Sequence, residues 1–340
     1  MPVLDELRGR GHEVVLRTLR SEIGEMRARG FDAAPICREV EALPMEDWRA
    51  RTVAGAGLRA VRTIRARAPH DRRDLARAVE SARPDALIVD VLASGALSAA
   101  ISWGGPWCCY RPFPLPSPMV PRLLGIGRAL SVAPLHLCMT APQLERAGAN
   151  RLPGVVRVGP CRWEPPGDLP AELAGVGGPL VLVTTSTEFQ NDGRLVEVAL
   201  EALAGEPVHV VATIPTAPKH EAESRGNATV LPFASHTPIL ERSVCAITHG
   251  GMGATQKALA LGVPVCAVPF GRDQFEVARR LEAAGAGSRL PARRLRAERL
   301  RTKVREAIAC RAGAERMREA FAEASGAAAA ADAVEQRLLA

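Results

Sequence analysis

The chain has 340 residues, of which 47% are hydrophobic, and this predicts a globular protein with more than one hydrophobic core. No apolar run approaches the ~20 residues of a membrane-spanning helix, and the N-terminus lacks a basic-then-apolar signal pattern, so we expect a cytoplasmic protein. The net charge of +7 would suit a nucleic-acid or membrane partner, but only Lys219, Lys257 and Lys303 are lysines. This arginine bias indicates a GC-rich coding sequence and argues against such a partner.

Residues 289–318 form the most basic stretch, and they also carry acidic residues at helical spacings: Glu298, Glu306 and Glu315, with Glu319 just beyond. This pattern favours a solvated, salt-bridged helix face over a nucleic-acid surface. The eight cysteines contain no C-x-x-C pair, so the sequence predicts neither a disulfide framework nor a zinc ribbon.

The N-terminal region begins with a predicted helix, Leu4–Arg10, and a strand over residues 13–19. His12 lies at the entrance of this strand and is interpreted as a surface histidine. Residues 20–80 show mixed helical periodicity with many arginines, and residues 59–77 are expected to form exposed helix and loop.

A clear strand signal follows in residues 83–90, an apolar run that ends in the carboxylate of Asp90. A helix of small residues, Ala93–Ile101, comes next. Sites in open parallel sheets gather at the carboxyl ends of strands, which makes Asp90 a candidate site residue. Its position suits the N-cap of the following helix equally well, and the sequence leaves both roles open.

Residues 103–121 combine many prolines with a cluster of aromatic side chains: Trp103, Trp107, Tyr110 and Phe113. Such a cluster suits an apolar pocket for a small molecule. Core packing beneath an irregular loop explains the same residues equally well. The sequence does not distinguish these two interpretations.

A strand in residues 154–160 is predicted to end the first domain, and a proline-rich linker follows. We therefore expect an N-terminal domain of residues 1–160, a linker of residues 161–178 and a C-terminal domain of residues 179–320. Residues 321–340 are expected to form a final alanine-rich helix.

The second domain opens with a predicted strand, residues 179–185, whose end is rich in hydroxyl side chains. These hydroxyls suit either ligand binding or the N-cap of a helix near Asp192. A strand at residues 208–213 follows, and a later strand leads into a loop with Phe233 and His236.

Residues 244–287 determine the functional interpretation. A β-branched strand, 244–248, leads through a glycine-rich turn into a helix predicted over Ala254–Leu261. The glycines allow close approach of the backbone, and the first N–H groups of the helix favour an anion. Donors from side chains would add to them. The sequence therefore predicts a diphosphate site made of His249, Gly250, Gly251, Gly253, Ala254 and Thr255.

A second unit of strand, loop and helix follows directly, with a strand over residues 263–268 and a helix that ends near Gly285. Two such units in sequence imply a parallel sheet with ligand loops at its carboxyl edge. Asp273 and Gln274 open the second helix, and this pair of side chains suits sugar hydroxyls. Together the two loops predict a nucleotide sugar as co-substrate, and no other cofactor or metal is indicated.

The segments HGGMGAT and ALGVPVCAVPFGRDQ resemble the donor-site signature of the glycosyltransferase family that includes macrolide, antibiotic, plant and animal UDP-glycosyltransferases. The resemblance runs from about residue 178 to the C-terminus and more weakly through the N-terminal half. It implies the α/β GT-B architecture of two Rossmann-like domains that face each other across a cleft. It also implies transfer of a sugar from UDP or dTDP to a hydroxyl of a lipophilic small molecule, with inversion and without a metal.

The same resemblance assigns roles to individual residues. Asp90 matches the aspartate that orients a catalytic histidine, while Phe233 and His236 lie in the nucleobase loop. Either ring suits stacking on the base, and a buried Phe233 is the favoured alternative. Lys257 stands where plant members have a ribose-binding glutamate, which indicates the bacterial branch. The R-G-H-E-V segment begins the family's second strand, so the chain resembles an N-terminally truncated or degenerate copy that lacks the first strand and its catalytic histidine.

The segment between the aromatic-rich loop and the strand at residues 154–160 is also shorter than in the family, where it shapes the acceptor site. This supports a second hypothesis, in which the chain is a non-catalytic nucleotide-sugar-binding homologue or an auxiliary partner of a complete transferase. A GT-B sugar-nucleotide epimerase is disfavoured because its signature loops differ. The sugar, the acceptor, the nucleobase and the oligomeric state stay open, a homodimer included.

Overall fold

The structure, a computed structural model, describes residues 1–114, 119–144, 152–215 and 222–340. The chain divides into two compact units. Unit 1 consists of Met1–Thr140, Ala147–Cys161 and Ala324–Ala340, and unit 2 consists of Ala141–Arg146 and Arg162–Glu323. Within the described ranges, no helix is both long enough and apolar enough to span a bilayer.

Unit 1 alternates strands with helices. Its strands are β1 (Val15–Thr18), β2 (Asp32–Pro35), β3 (Leu87–Asp90), β4 (Trp107–Arg111), β5 (Leu135–Cys138) and β6 (Val155–Arg157). Its first seven helices are α1 (Pro2–Gly9), α2 (Ile23–Ala28), α3 (Arg38–Glu41), α4 (Val53–Ala82), α5 (Ser94–Trp103), α6 (Met119–Leu124) and α7 (Gly127–Val132). The strands form two separate parallel sheets, β1-β2 and β3-β4-β5-β6.

β1 and β3 each form the edge of a sheet and do not pair with each other. Val15 of β1 and Leu19 just beyond it are exposed, whereas every residue of β5 is buried. Asp90 is the last residue of β3 and therefore lies on an edge strand of its sheet.

α4 is one continuous helix of 30 residues. The Thr52 hydroxyl caps its start by accepting a hydrogen bond from the Gly55 N–H at 3.0 Å, and Arg83 ends it in the left-handed region at φ +48°. The helix runs through Pro69 without interruption. The expected mixture of helix and loop in residues 59–77 is therefore wrong, because the helix face packed on α5 outweighs the proline.

Unit 2 contains one larger sheet flanked by helices. Its strands are β7 (Leu180–Thr184), β8 (His209–Thr213), β9 (Glu223–Arg225), β10 (Ala228–Leu231), β11 (Ser243–Thr248), β12 (Val265–Ala267) and β13 (Gly287–Arg289). Its helices are α8 (Arg194–Leu203), α9 (His236–Leu240), α10 (Met252–Leu259), α11 (Gln274–Ala283), α12 (Ala297–Ala309) and α13 (Arg311–Glu323).

The sheet of unit 2 has the strand order β13-β12-β11-β7-β8-β10-β9, and all neighbours are parallel except β9 and β10. Buried apolar residues of β7, β8 and β11 pack on α8 and α12. The predicted α/β class with parallel sheets is confirmed. Ion pairs such as Lys303–Glu306 and Arg318–Glu315 lie along the basic stretch, as a salt-bridged face requires.

The last helix, α14 (Gly326–Val334), belongs to unit 1 and continues into a π-helical turn, Glu335–Leu339. Its buried alanines and Val334 share a core with Val3 and Leu7 of α1. Arg10 joins the two helices through Asp332 at 2.6 Å and Glu335 at 2.7 Å.

Candidate functional site

Three loops of unit 2 meet at the carboxyl edge of the sheet. They follow the neighbouring strands β7, β11 and β12, whose last residues Thr184, Thr248 and Ala267 stand in register. A Cβ atom on Gly250 would lie 3.2 Å from the Gln274 carbonyl oxygen, so the loops after β11 and β12 touch. The sequence predicted ligand loops at this edge.

The loop after β11 brings His249 over the start of α10. Gly250 adopts a left-handed φ of +84°, which favours glycine. A Cβ atom on Gly251 would lie 2.2 Å from His249 Nε2, so only glycine leaves room for the ring. α10 begins at Met252, two residues earlier than predicted, and Gly251 is its N-cap. Gly253 therefore lies in the first turn, whose N–H groups point out of the helix end.

The structure places His249 in a buried position, 9% exposed. Burial lowers the pKa of its imidazole and the charge of Arg272 acts in the same direction, while Asp192 and the Thr184 carbonyl oppose them. The ring is neutral at pH 7 because its pKa lies below the ordinary value of about 6.5. A neutral imidazole donates a single N–H, and the His249 Nδ1 atom is buried without a hydrogen-bond partner among the described residues.

Thr255 is the predicted diphosphate residue that the structure places differently. It is fully buried, and its hydroxyl has no hydrogen-bond partner among the described residues. Its backbone N–H donates to the Gly251 carbonyl at 3.1 Å. Thr255 therefore packs inside the helix terminus, and its hydroxyl contact with phosphate stays a prediction.

Gln274, predicted to bind sugar, is buried at 2% exposure. Its Oε1 accepts hydrogen bonds from the N–H groups of Phe270 and Gly271, each at 2.9 Å. Its Nε2 donates to Gln190 Oε1 at 2.6 Å. The side chain thus holds the loop after β12 from inside, and its sugar-binding role stays a prediction.

Asp273 is half-exposed and stands at the N-cap position of α11 without making a side-chain capping bond. Burial raises the pKa of its carboxyl group, while its own backbone N–H and Arg272 oppose this shift. The carboxylate therefore keeps acceptor capacity toward a ligand. Its sugar-binding role stays a prediction.

The loop after β7 is held by a chain of polar side chains. Gln190 donates to Ser186 Oγ at 2.7 Å, and the Ser186 N–H donates to Asp192 Oδ2 at 2.7 Å. The N-cap of α8 is Gly193, which makes no side-chain capping bond. The alternative that a hydroxyl near Thr184 caps this helix is therefore wrong, because these groups stabilise the loop instead.

Arg272 is a feature of the site that the sequence analysis missed. It adopts a left-handed φ of +55° at the tip of the loop after β12. Its Nη1 lies 2.5 Å from Glu188 Oε2 in the loop after β7. Its identity was visible in the segment FGRDQ, but its pairing across 84 residues was not.

The nucleobase loop presents one aromatic ring to solvent. Phe233 is 60% exposed, so the expectation that it is buried is wrong, and a stacking role stays open. His236 is half-buried, and its Nε2 lies 3.0 Å from Thr213 Oγ1. Burial lowers its pKa to about 4, assisted by Lys257 and opposed by Glu164. This ring is neutral and already engaged, which makes stacking by His236 the weaker prediction.

Glu164 of the linker region joins this loop to α10. Its two oxygens accept from the N–H groups of His236 and Thr237, at 2.6 and 3.0 Å, and from the Thr237 hydroxyl at 2.6 Å. The Lys257 ammonium lies 3.2 Å away. Burial alone would raise the pKa of Glu164, but these donors together lower it. The carboxylate therefore stays ionised and holds α9 and α10 together.

Asp90 of unit 1 is exposed at the end of β3, and its Oδ1 accepts from the Leu92 N–H at 2.8 Å. Desolvation by neighbouring atoms raises its pKa, and the Leu92 bond opposes this. The N-cap of α5 is Ala93, so the helix-cap interpretation is wrong. Among the described residues, no histidine is hydrogen bonded to Asp90, since those of unit 1 contact other groups: His12 with Glu335, His70 with Arg73, and His136 with the Leu130 carbonyl.

Three of the four aromatic side chains in residues 103–121 belong to core clusters of unit 1, and the fourth, Trp103, is half-buried outside them. Trp107 is buried and Phe113 packs against the same apolar cluster, while Tyr110 packs on the other face of the sheet. Core packing is therefore the better interpretation of these side chains. Leu115–Pro118 of the same stretch lie outside the described residues.

The C-terminal part of the chain is similar to known proteins. Residues 198–336 match the family described as Erythromycin biosynthesis protein CIII-like, C-terminal domain. The chain is 35% identical over 209 residues to the 4'-demethylrebeccamycin synthase of Lentzea aerocolonigenes, an alignment that covers 59% of this chain and 49% of that protein. The chain thus spans about half the length of this curated relative.

Solved structures agree in fold. The calicheamicin glycosyltransferase CalG4 superposes with a TM-score of 0.79 at 21% identity, covering 99% of this chain and 94% of that one. The glycosyltransferase VinC, solved in complex with dTDP, gives a TM-score of 0.77 at 18% identity, covering 99% and 95%. The predicted GT-B fold and the resemblance to antibiotic-type glycosyltransferases are confirmed.

Proposed function

We propose that this chain binds a nucleotide diphosphate sugar, UDP- or dTDP-linked, in unit 2 and transfers the sugar to a hydroxyl of a lipophilic small molecule. The observation that carries this proposal is the arrangement of His249 above the first turn of α10. The His249 ring, the glycine backbone and the N-terminal turn of α10 lie together there, and the N–H groups of a helix terminus favour an anion.

The donor side supplies the charge stabilisation that the reaction needs. When the bond to the sugar breaks, negative charge grows on the leaving diphosphate, and preorganised N–H donors lower the energy of that state. The donor set combines N–H groups with the nearby cation Arg272, so we propose transfer without a metal ion. The names of the related proteins, which are natural-product glycosyltransferases and a synthase, support the choice of a lipophilic acceptor.

The acceptor hydroxyl must lose its proton as it attacks, and inversion requires this attack from the face opposite the leaving group. Asp90 is our candidate for orienting the base or acting as one. It ends a parallel strand, at the carboxyl edge of the sheet where sites gather. We propose inversion because the resemblance to GT-B glycosyltransferases implies it.

The test separates binding from chemistry. Calorimetric titration with UDP, dTDP and GDP measures the donor site directly, and we expect UDP or dTDP to bind. His249→Ala should weaken that binding about tenfold, as expected for the loss of a hydrogen bond to a charged group. The matched control is His209→Ala, because His209 lies at the amino end of β8, on the opposite edge of the sheet. Unchanged affinity in His249→Ala refutes the site.

A second candidate function rests on the surroundings of Asp90. Among the described residues no histidine accompanies this carboxylate, and its Oδ1 is occupied by the Leu92 N–H. The chain is then a nucleotide-sugar-binding protein without transferase activity. Mass spectrometry of a lipophilic aglycone panel decides between the two, because a glycoside formed by the chain and lost in Asp90→Asn establishes the enzyme.

A further inference from the structure

We propose that Glu188 occupies, on the Arg272 guanidinium, the place of an anionic group of the donor and is displaced when the donor binds. This inference rests on the proposed nucleotide-sugar site and names the residue that would set its preference among donors. The anionic group is either the diphosphate or a carboxylate on the sugar, and both share the same pairing with arginine.

Arg272 is aimed by a rigid loop. A left-handed φ is uncommon for a residue with a side chain and persists only where the surroundings impose it. Here the loop conformation is fixed by Gln274, whose Oε1 accepts hydrogen bonds from the N–H groups of Phe270 and Gly271. The guanidinium therefore projects from a fixed backbone.

The two partners of the ion pair differ in exposure. The Arg272 side chain is 22% exposed and that of Glu188 is 66% exposed. The glutamate can therefore swing into solvent while the arginine keeps its surroundings. An exposed ion pair contributes little to stability, so a phosphate or carboxylate that binds with two parallel hydrogen bonds replaces it favourably.

The charge of Arg272 also acts on His249 and Asp273, the residues proposed to bind the diphosphate and the sugar. Its charge lowers the pKa of His249, at the diphosphate position, and of Asp273, at the sugar position. The loops that carry these residues touch at Gly250 and Gln274. Arg272 lies between His249, which is proposed to bind phosphate, and Asp273, which is proposed to bind sugar. Its guanidinium can therefore pair with an anionic group on either part of the ligand.

If the Glu188–Arg272 ion pair has only a structural role, the Glu188→Gln variant should change nucleotide affinity in the opposite direction. If Glu188 only fastens the loop after β7 to the loop after β12, removing its charge loosens both loops and weakens binding. If Glu188 competes with the ligand, removing its charge strengthens binding. The sign of the change in affinity for Glu188→Gln therefore separates the two.

The experiment titrates UDP, UDP-glucose and UDP-glucuronic acid, with the dTDP forms in parallel, into the wild-type chain and its variants by calorimetry. We expect Glu188→Gln to bind about two- to fivefold more tightly, the range of an exposed ion pair. Arg272→Gln should bind about tenfold more weakly. In the Arg272→Gln background, Glu188→Gln should have no further effect. Glu223→Gln removes an exposed glutamate paired with Arg225 on β9 and serves as the matched control.

The ligand arms identify the anion. Equal losses for all three ligands in Arg272→Gln assign the diphosphate, and a loss confined to UDP-glucuronic acid assigns a sugar carboxylate. The inference is overturned if the wild-type chain binds these nucleotides but Glu188→Gln binds them less tightly or equally. If the wild-type chain binds none of them, the proposed function itself fails and the inference falls with it.

Discussion

Gly95 of α5 and Ala68 of α4 bring the two helices into backbone contact. A Cβ atom on Gly95 would lie 1.7 Å from the Ala68 carbonyl oxygen. Because neither backbone can yield without disturbing a packed helix, only glycine fits there. This contact anchors the long helix α4 beside the strand that carries Asp90.

Replacing Gly95 with alanine should reduce the free energy of unfolding of unit 1 by about 3 kcal/mol, the upper range for overpacking. Urea unfolding followed by circular dichroism measures this change. Gly57→Ala is the matched control on α4, since nothing lies within 4 Å of a Cβ at that position. It should stabilise the helix by about 0.5 to 1 kcal/mol. Equal effects of the two variants contradict the close packing.

A substitution at Gly253 tests the approach of a ligand to the backbone separately from the stability of α10. No atom lies within 4 Å of a Cβ at this position, so alanine fits the unliganded protein and favours the first turn of α10. We expect Gly253→Ala to keep or raise the melting temperature and to weaken UDP or dTDP binding about tenfold. Calorimetry and thermal unfolding measure both. Full affinity in this variant means that the phosphate does not approach the backbone here.

Glu164→Gln tests the link between the linker region, α9 and α10. Loss of the charge weakens hydrogen bonds from two backbone N–H groups and from Thr237, and leaves the Lys257 ammonium without its anion. We expect unit 2 to lose about 2 kcal/mol of unfolding free energy. Hydrogen exchange in residues 235–240 should rise with it. Glu172→Gln, an exposed glutamate in the same region, should change neither quantity.

His136 makes the stability of unit 1 depend on pH. Burial lowers its pKa from 6.5 to about 4, and the charge of Arg111 assists. Between these values the unfolded chain binds a proton that the folded chain does not, so the unfolding free energy falls as pH drops from about 6.5 to 4. The loss is at most about 3 kcal/mol. His136→Gln cannot ionise and should flatten this part of the melting-temperature profile. An unchanged slope contradicts the assignment.

Much of unit 2 was predictable from the sequence. Apolar runs that end in loops and lead into amphipathic helices imply a parallel sheet, and the glycines around His249 mark a close backbone approach. These signals are local, within about ten residues, and the structure reproduces them. The strand β2, with Pro35, and the short exposed strand β9 are too weak in pattern to be found in this way.

The remaining features depend on partners that are far apart in the chain. Gln274 is buried because Gln190 meets its amide, and 84 residues separate them. Lys257 and Glu164 are 93 residues apart. Local sequence shows that such side chains are polar, but only the folded topology decides whether they face a ligand or each other.

The place of α14 in unit 1 has a consequence for synthesis on the ribosome. All of unit 2 precedes α14 in the sequence, so its sheet and helices can assemble while α1 still lacks its helical partner. Until α14 has left the ribosome, Val3 and Leu7 have no apolar cover from it. A chain terminated after residue 323 would thus carry all of unit 2 joined to an N-terminal part with exposed apolar residues, which chaperones and proteases recognise.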